Sequence, residues 1–231
     1  MTQLLYWIVL SLTFLLNACA QEDKMPHNTE QLIVFTAPEC DFCTQFKRDI
    51  LEHWQAELPI QEISGSEAPI HLTLEKTLFA TPTIVLFKQG KETSRYTGYD
   101  GNKMRFWKWL GFQLLTSEQQ RIAFEQGTER PFTGSHLDEK RKGTFVDPIT
   151  GAPIFKTDTK FNSGTGWPSF FNPIEGSITY HEDSEHGMKR IEVRSASSGI
   201  HLGHIFDDGP PPTGKRYCIN GNILKFVPNK H

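Results

Sequence analysis

Three cysteines carry the first chemical argument. Cys40 and Cys43 form a tight C-x-x-C, and Cys218 stands alone far down the chain. A protein using cysteine for cross-linking would show even pairs at distant positions, so this pattern points to redox chemistry. Cys218 lies within Arg216-Tyr217-Cys218-Ile219-Asn220. Strand alternation puts Arg216, Cys218 and Asn220 on one face and Tyr217 and Ile219 on the other. A thiol flanked by a guanidinium and an amide is expected to have a lowered pKa. A free cysteine at ~8.5 is only about 3% thiolate at pH 7, and a drop of about two units would make thiolate dominant. The pentapeptide alone fits a half-buried structural cysteine equally well.

Upstream, His201-Leu202-Gly203-His204-Ile205-Phe206-Asp207-Asp208-Gly209-Pro210 concentrates two imidazoles and two carboxylates. Imidazole is the side chain best suited to proton transfer at neutral pH. On a regular strand His201 and His204 would face opposite ways; a bulge at Gly203 would bring them together. Zinc binding by this pair is the rival reading, but two ligands alone do not make a site.

These residues need elements to hold them. Residues 31–36 (QLIVFT) read as a buried strand broken by Ala37-Pro38-Glu39. Phe42, Phe46, Ile50 and Trp54 then recur every four residues, the stripe of an amphipathic helix. Cys40 therefore belongs at a strand-to-helix turn. A strand is expected over 59–63, a weak helix over 72–78, and a strand over 83–87 ending in a Gln89-Gly90 turn. Residues 103–114 carry Met104, Trp107, Leu110 and Leu114 at helical spacing. Thr116-Ser117-Glu118-Gln119 fits a capping box, with Gly127 as the helix stop. Beyond it turn residues multiply and strands shorten, as in an all-β domain. No Gly/Ser linker separates the halves, so close coupling is expected.

The first half resembles the thioredoxin fold over residues 28–114, on the strength of Cys40-x-x-Cys43 after a strand and Thr81-Pro82 opening a later one. The resemblance implies a redox-active disulfide and a cis Pro82 lying against it. Glu39 replaces the family's tryptophan and Asp41-Phe42 its Gly-Pro; such residues tune redox potential. A metal-binding C-x-x-C is the alternative, but no second Cys or His pair follows at ligand spacing.

The second half resembles the methionine-R-sulfoxide reductases of the B type over residues 115–228. The matching motifs are Gly127-Thr128-Glu129-Arg130-Pro131-Phe132, Asp158-Thr159-Lys160-Phe161, Gly166-Trp167-Pro168-Ser169-Phe170, His201-Leu202-Gly203-His204 and Arg216-Tyr217-Cys218-Ile219-Asn220. The resemblance implies two antiparallel sheets, so the chain as a whole should be an α/β thioredoxin-like fold followed by a mainly β domain. It places the catalytic cysteine at Cys218, acid and orienting roles on His201, His204 and Asn220, and the methyl-group pocket at Trp167. Asp208 and Arg216 match supporting positions. Zinc-bearing members have two C-x-x-C pairs; the matching positions here are Asp147, Thr150, Ser195 and Ser198. Structural zinc wants thiolate or imidazole, so no zinc and no other cofactor is expected. Thr165 stands where many members carry a recycling cysteine, so Cys218 must find its reductant elsewhere. Cys40 and Cys43 are the expected source. Two rival functions are a thiol–disulfide oxidoreductase whose second half recruits clients, and a non-catalytic binder of oxidised proteins.

At 231 residues the chain is one large domain or two small ones. A net charge of −3 gives no general pull toward nucleic acid, and Lys140-Arg141-Lys142, preceded by Asp138 and Glu139, reads as a solvated turn. Residues 4–16 form an uncharged, mostly apolar run, too short for a comfortable membrane span but right for a signal-peptide core. It ends in Leu16-Asn17-Ala18-Cys19, which resembles a bacterial lipobox with Cys19 lipidated; an uncleaved anchor is the alternative. The expected organisation is leader 1–18, tether 19–30, thioredoxin-like domain 31–114 and reductase domain 115–231. The expected setting is the periplasmic side of a bacterial cell envelope. Oxidised proteins would be the substrate and a membrane thiol-electron donor would reload the C-x-x-C.

Overall fold

The computed structural model describes residues 30–184, 187 and 189–230; the leader, Cys19 and almost all of the tether lie outside the described residues. Strands β1 (Glu30–Thr36), β2 (Ile60–Ser64), β3 (Thr83–Lys88) and β4 (Lys91–Thr97) form one sheet in the order β2-β1-β3-β4. β1 pairs parallel with β2 and antiparallel with β3. The central strands are continuous apolar runs because both faces are covered. On one face Leu32, Val34, Ile84 and Leu86 meet Phe46 and Ile50, from α1 (Asp41–Asp49) and its end, and Phe106 and Leu110 of α2 (Lys103–Leu114). On the other, Ile33, Phe35, Val85 and Phe87 pack beneath Leu72, Leu74 and Leu78.

Those leucines do not form the helix expected over 72–78. Thr73 N–H donates to the Gly90 carbonyl at 2.8 Å and Glu92 N–H to the Thr73 carbonyl at 3.0 Å. Glu75 N–H goes to the Glu92 carboxylate, and Arg95 takes the carbonyls of Lys76 and Thr77. The backbone groups a helix needs are thus committed to β4 and the turn before it. The stripe after Cys43 is also shorter than its spacing implied. Phe46 and Ile50 are buried, but Phe42 is 58% exposed and Trp54 lies beyond a 3-10 turn at Leu51–His53.

Helix α3 (Ser117–Glu125) opens with the expected capping box, Thr116 and Gln119 each bonding the other's backbone. It stops one residue before Gly127: Gln126 takes the left-handed conformation (φ 55°), and Gly127 N–H bonds the Arg121 carbonyl. The rest is built on two antiparallel sheets. One contains β5 (Gly143–Val146), β6 (Pro153–Lys156) and β13 (Lys225–Pro228) in the order β13-β5-β6. The other has six strands ordered β7-β8-β12-β11-β10-β9, from β7 (Lys160–Phe161), β8 (Ser169–Phe170), β9 (Ile178–Asp183), β10 (Arg190–Ser195), β11 (His201–Phe206) and β12 (Arg216–Ile219). Phe145, Phe155, Phe170 and Tyr217 fill the space between them, with Phe155 stacked on Phe170 at 4.3 Å.

The two halves share one continuous apolar cluster. Across the junction Phe112 lies against Phe124 at 4.7 Å and Lys225 pairs with Glu57, while on the first-half side Trp54 stacks on Trp107 at 5.5 Å. No helix among the described residues is long and apolar enough to cross a membrane.

Candidate active site

The dithiol sits where β1 hands over to α1. Cys40 is the N-cap residue and is disulfide-bonded to Cys43. Cys43 N–H points at Cys40 Sγ (3.1 Å) and the Thr81 hydroxyl approaches the same sulfur (3.5 Å), next to a cis Thr81-Pro82 bond. Cys43 is buried at 6% exposure, whereas Cys40 is half-buried. The helix N-terminus favours negative charge on Cys40, the more accessible sulfur. Exposed Phe42 adjoins the pair, and exposed Phe79 lies two residues before Thr81.

The free thiol, Cys218, lies on β12 between β11 and β8, directly opposite His204 on one side and Ser169 on the other. The Arg216 guanidinium and the Thr165 hydroxyl lie near enough to favour its charged form. Arg216 is itself held by a two-point pair to Asp208 (2.8 and 2.9 Å) and by stacking on Phe206 at 4.5 Å. The lowered pKa expected from sequence is not found. Burial pushes the Cys218 thiol up, and Arg216 and Thr165 offset only part of that cost. The thiolate is therefore scarce at neutral pH and depends on those two donors.

The histidines do converge. The β10–β11 register passes from Val193 opposite Gly203 to Arg194 opposite His201, leaving Leu202 without a facing residue. This bulge turns His201 and His204 to the same side with ring centroids 5.4 Å apart. Gly203 (φ 157°) is required there, since a Cβ would sit 2.0 Å from the Cys218 carbonyl oxygen.

Each imidazole has a carboxylate that sequence reasoning missed. His201 Nδ1 contacts Glu192 at 2.7 Å, and His204 Nε2 contacts Asp183 at 2.7 Å. Burial alone would raise the Glu192 carboxyl, but hydrogen bonds from His201 and Arg194 bring it down to about 2, so it stays ionised. Burial lowers His204, with Asp183 opposing. His201 is 2% exposed, and its Nε2 has no hydrogen-bond partner among the described residues.

Asn220 orients rather than faces open space. Its Oδ1 accepts from Glu129 N–H (2.9 Å) and its Nδ2 donates to the carbonyl of the bulged Leu202 (3.0 Å). Glu129, also missed, is a buried hub: its carboxylate accepts from Gly221 N–H (2.6 Å) and Asn222 N–H (2.9 Å), and its carbonyl accepts from Trp167 Nε1 (3.1 Å). Trp167 borders a surface cavity of about 1000 Å³ that also touches exposed Phe132, Lys160 and Asn162.

Asp147, Thr150, Ser195 and Ser198 come together and are buried, but their chemistry does not suit zinc. Ser198 Oγ donates to Asp147 Oδ2 at 2.5 Å, and Ser197 bridges Thr150 (2.8 Å) and Ser195 (3.0 Å). Asp147 Oδ1 accepts from Ile149 and Thr150 N–H. One carboxylate and several hydroxyls, already bonded to one another, are a poor zinc donor set. No group of three His, Cys, Asp or Glu able to hold a metal occurs among the described residues.

A thioredoxin-like dithiol domain fused to a mainly β domain, whose lone thiol lies among a guanidinium and paired histidines, defines a two-part thiol redox protein. Residues 115–228 match the SelR domain and residues 20–114 a thioredoxin-like domain. The peptide methionine sulfoxide reductase MsrB of Agrobacterium fabrum is 54% identical over 117 residues, 50% of this chain and 87% of that protein. The MsrB of Alteromonas mediterranea is 49% identical over 113 residues, 48% of this chain and 80% of that protein. The periplasmic thioredoxin SoxS of Paracoccus pantotrophus, in its reduced form, is 26% identical over 32% of this chain and 83% of its own, with a TM-score of 0.30. Through its second half the chain belongs to the peptide methionine sulfoxide reductase MsrB family.

Proposed function

We propose that the protein reduces methionine-R-sulfoxide in oxidised proteins at Cys218 and recovers its electrons from the Cys40–Cys43 dithiol of the same chain. The observation carrying this is a single partly accessible thiol held by Arg216 opposite His204, with Thr165 in place of a second local sulfur. The Cys218 thiolate attacks the sulfoxide sulfur while the histidine pair protonates the oxygen. Glu192 holds His201 Nδ1, which leaves the buried Nε2, unpartnered among the described residues, as the nitrogen to meet the sulfoxide oxygen. Oxygen passes to Cys218 as a sulfenic acid and methionine leaves. Cys40 thiolate then attacks that sulfur, releasing water and forming a Cys40–Cys218 disulfide. Cys43 displaces Cys218, leaving the Cys40–Cys43 disulfide and a free Cys218 thiol, the pairing seen in the structure. Trp167, fixed through its indole N–H, packs on the substrate methyl group.

The test is turnover of peptides carrying resolved R and S sulfoxides. The R epimer alone should be reduced, and Cys218→Ser should abolish this while leaving disulfide reduction by the first half. Sulfoxide reduction surviving in Cys218→Ser would overturn the assignment.

The same reading takes residues 31–114 and 115–231 as the working units, without zinc. It places them at the periplasmic side of the envelope through a lipid on Cys19, with a membrane thiol donor reloading the dithiol. Its support is the leader-like pattern of residues 1–19. Mature protein should partition into detergent and lose that behaviour in Cys19→Ser; partitioning unchanged by the substitution would reject the anchor.

A further inference from the structure

Two turns of the second half, residues 147–151 and 195–199, share one design. Gly151 N–H donates to the Asp147 carbonyl and Gly199 N–H to the Ser195 carbonyl, both at 2.9 Å, and both glycines have φ 75°. The turns are joined side by side by the Asp147, Thr150, Ser195, Ser197 and Ser198 hydrogen bonds. Two of these contacts are made to the buried Asp147 carboxylate, so the turns are tied to each other by charge-assisted as well as neutral hydrogen bonds.

The first half adds its own contacts to these turns, beside backbone bonds such as Ala196 N–H to the Ser177 carbonyl. Ile149 is fully buried, and a Cβ on Gly111 of α2 would lie 2.7 Å from its Cδ1. A Cβ on Gly151 would lie 2.2 Å from the Gln55 carbonyl oxygen, and one on Gly199 would lie 2.6 Å from Met104 Sδ. Each turn is therefore in van der Waals contact with the first half, at points where added atoms would not fit. The 195–199 turn is also the hairpin joining β10, which carries Glu192, to β11, which carries His201. Its position bears on the Glu192–His201 contact and on the bulge that aligns the two imidazoles.

We propose that the thioredoxin-like half has a second, non-redox function: it braces these two turns and thereby the imidazole face of the reductase half. The two functions occupy different places. The dithiol is at the N-terminal end of α1, whereas the brace is made by residues beyond its other end and by α2. The consequence for catalysis rests on the reductase reading; the brace itself does not.

The test is hydrogen exchange on the full chain, reading peptides across 145–152 and 192–202. Gly111→Leu adds bulk at the contact without opposing helix formation. It should speed exchange in both turns about tenfold, because looser packing lowers the free energy of local opening. Met104→Ala, which removes the Gly199 contact without adding bulk, should speed exchange at 195–199 more than at 147–151. The Cys40→Ser/Cys43→Ser pair should leave both turns as protected as in wild type. With dithiothreitol as reductant, bypassing the dithiol, sulfoxide turnover should fall in Gly111→Leu along with protection. Wild-type exchange in both turns of Gly111→Leu and Met104→Ala, with faster exchange confined to the first half, would overturn the proposal. Faster exchange in the turns with unchanged dithiothreitol-driven turnover would overturn its catalytic consequence. A wild-type chain inactive on sulfoxide would refute the reductase reading and leave the exchange result standing.

Discussion

Replacing Arg216 by glutamine should slow Cys218 in a pH-dependent way. The guanidinium is nearly buried and favours the thiolate of Cys218, which burial disfavours. A full charge pair at ~4 Å with an effective dielectric of ~20 is worth about 4 kcal/mol. Asp208 holds the same guanidinium at 2.8 and 2.9 Å, and its side chain is 63% exposed, so it cancels part of that field. A net loss of roughly 1.5 kcal/mol in thiolate stabilisation corresponds to about a tenfold fall in thiolate at pH 7. Iodoacetamide labelling of Cys218, located by mass spectrometry in the Cys40–Cys43-oxidised chain, reads this directly. Because burial holds the thiol high, wild-type labelling should accelerate as pH rises above neutral. In Arg216→Gln the midpoint should move further up and the pH 7 rate should fall about tenfold. Rates that converge at high pH would assign the effect to ionisation rather than to access. An unshifted midpoint would refute the electrostatic role of Arg216.

Glu192→Gln keeps the shape beside His201 but removes the anion. The first-turnover rate should fall about 10–100-fold, part of the ~10²–10⁴ that acid catalysis supplies, with the high-pH side of the profile falling earlier. A lower rate with an unchanged profile would make Glu192 structural only. Cys40→Ser should reduce about one sulfoxide per enzyme and then stop until a small thiol is added, given the effective concentration that tethering supplies; normal turnover with the physiological donor would remove the first half from recycling. Prolonged chelator treatment should leave Tm within about 2 °C, since loss of even ~1 kcal/mol would move it further; a chelator-induced collapse with release of stoichiometric zinc would show the Asp147–Ser198 cluster misread.

The parts of the site legible in the sequence are those set by local rules. Alternation along residues 216–219, the capping box at Thr116 and a bulge beside Gly203 are all short-range, and the structure has them, whereas Asn220 leaves the strand as the N-cap residue of a 3-10 turn. The sign of the Cys218 shift was not legible, because the desolvation comes from elements distant in sequence. Glu192 and Asp183 reach the histidines through β10–β11 pairing and the β9 edge, a register no single segment encodes. Residues 72–78 read as a weak helix in sequence, but the β3–β4 hairpin claims that backbone. The meeting of residues 147–151 with 195–199 depends on how two hairpins close on α2, which spacing could not reveal.

The relay between the two sulfur centres is the central claim, and trapping its intermediate tests it most directly. Reduced Cys43→Ser protein, given one equivalent of a methionine-R-sulfoxide peptide, should accumulate an intramolecular disulfide. Digestion and mass spectrometry should identify a peptide containing Cys40 joined to one containing Cys218, with loss of two hydrogens relative to the free thiols. The S epimer should yield none. If R-sulfoxide is consumed and Cys218 remains a sulfenic acid, with Cys40 still a free thiol, the electrons do not pass between the two halves of this chain.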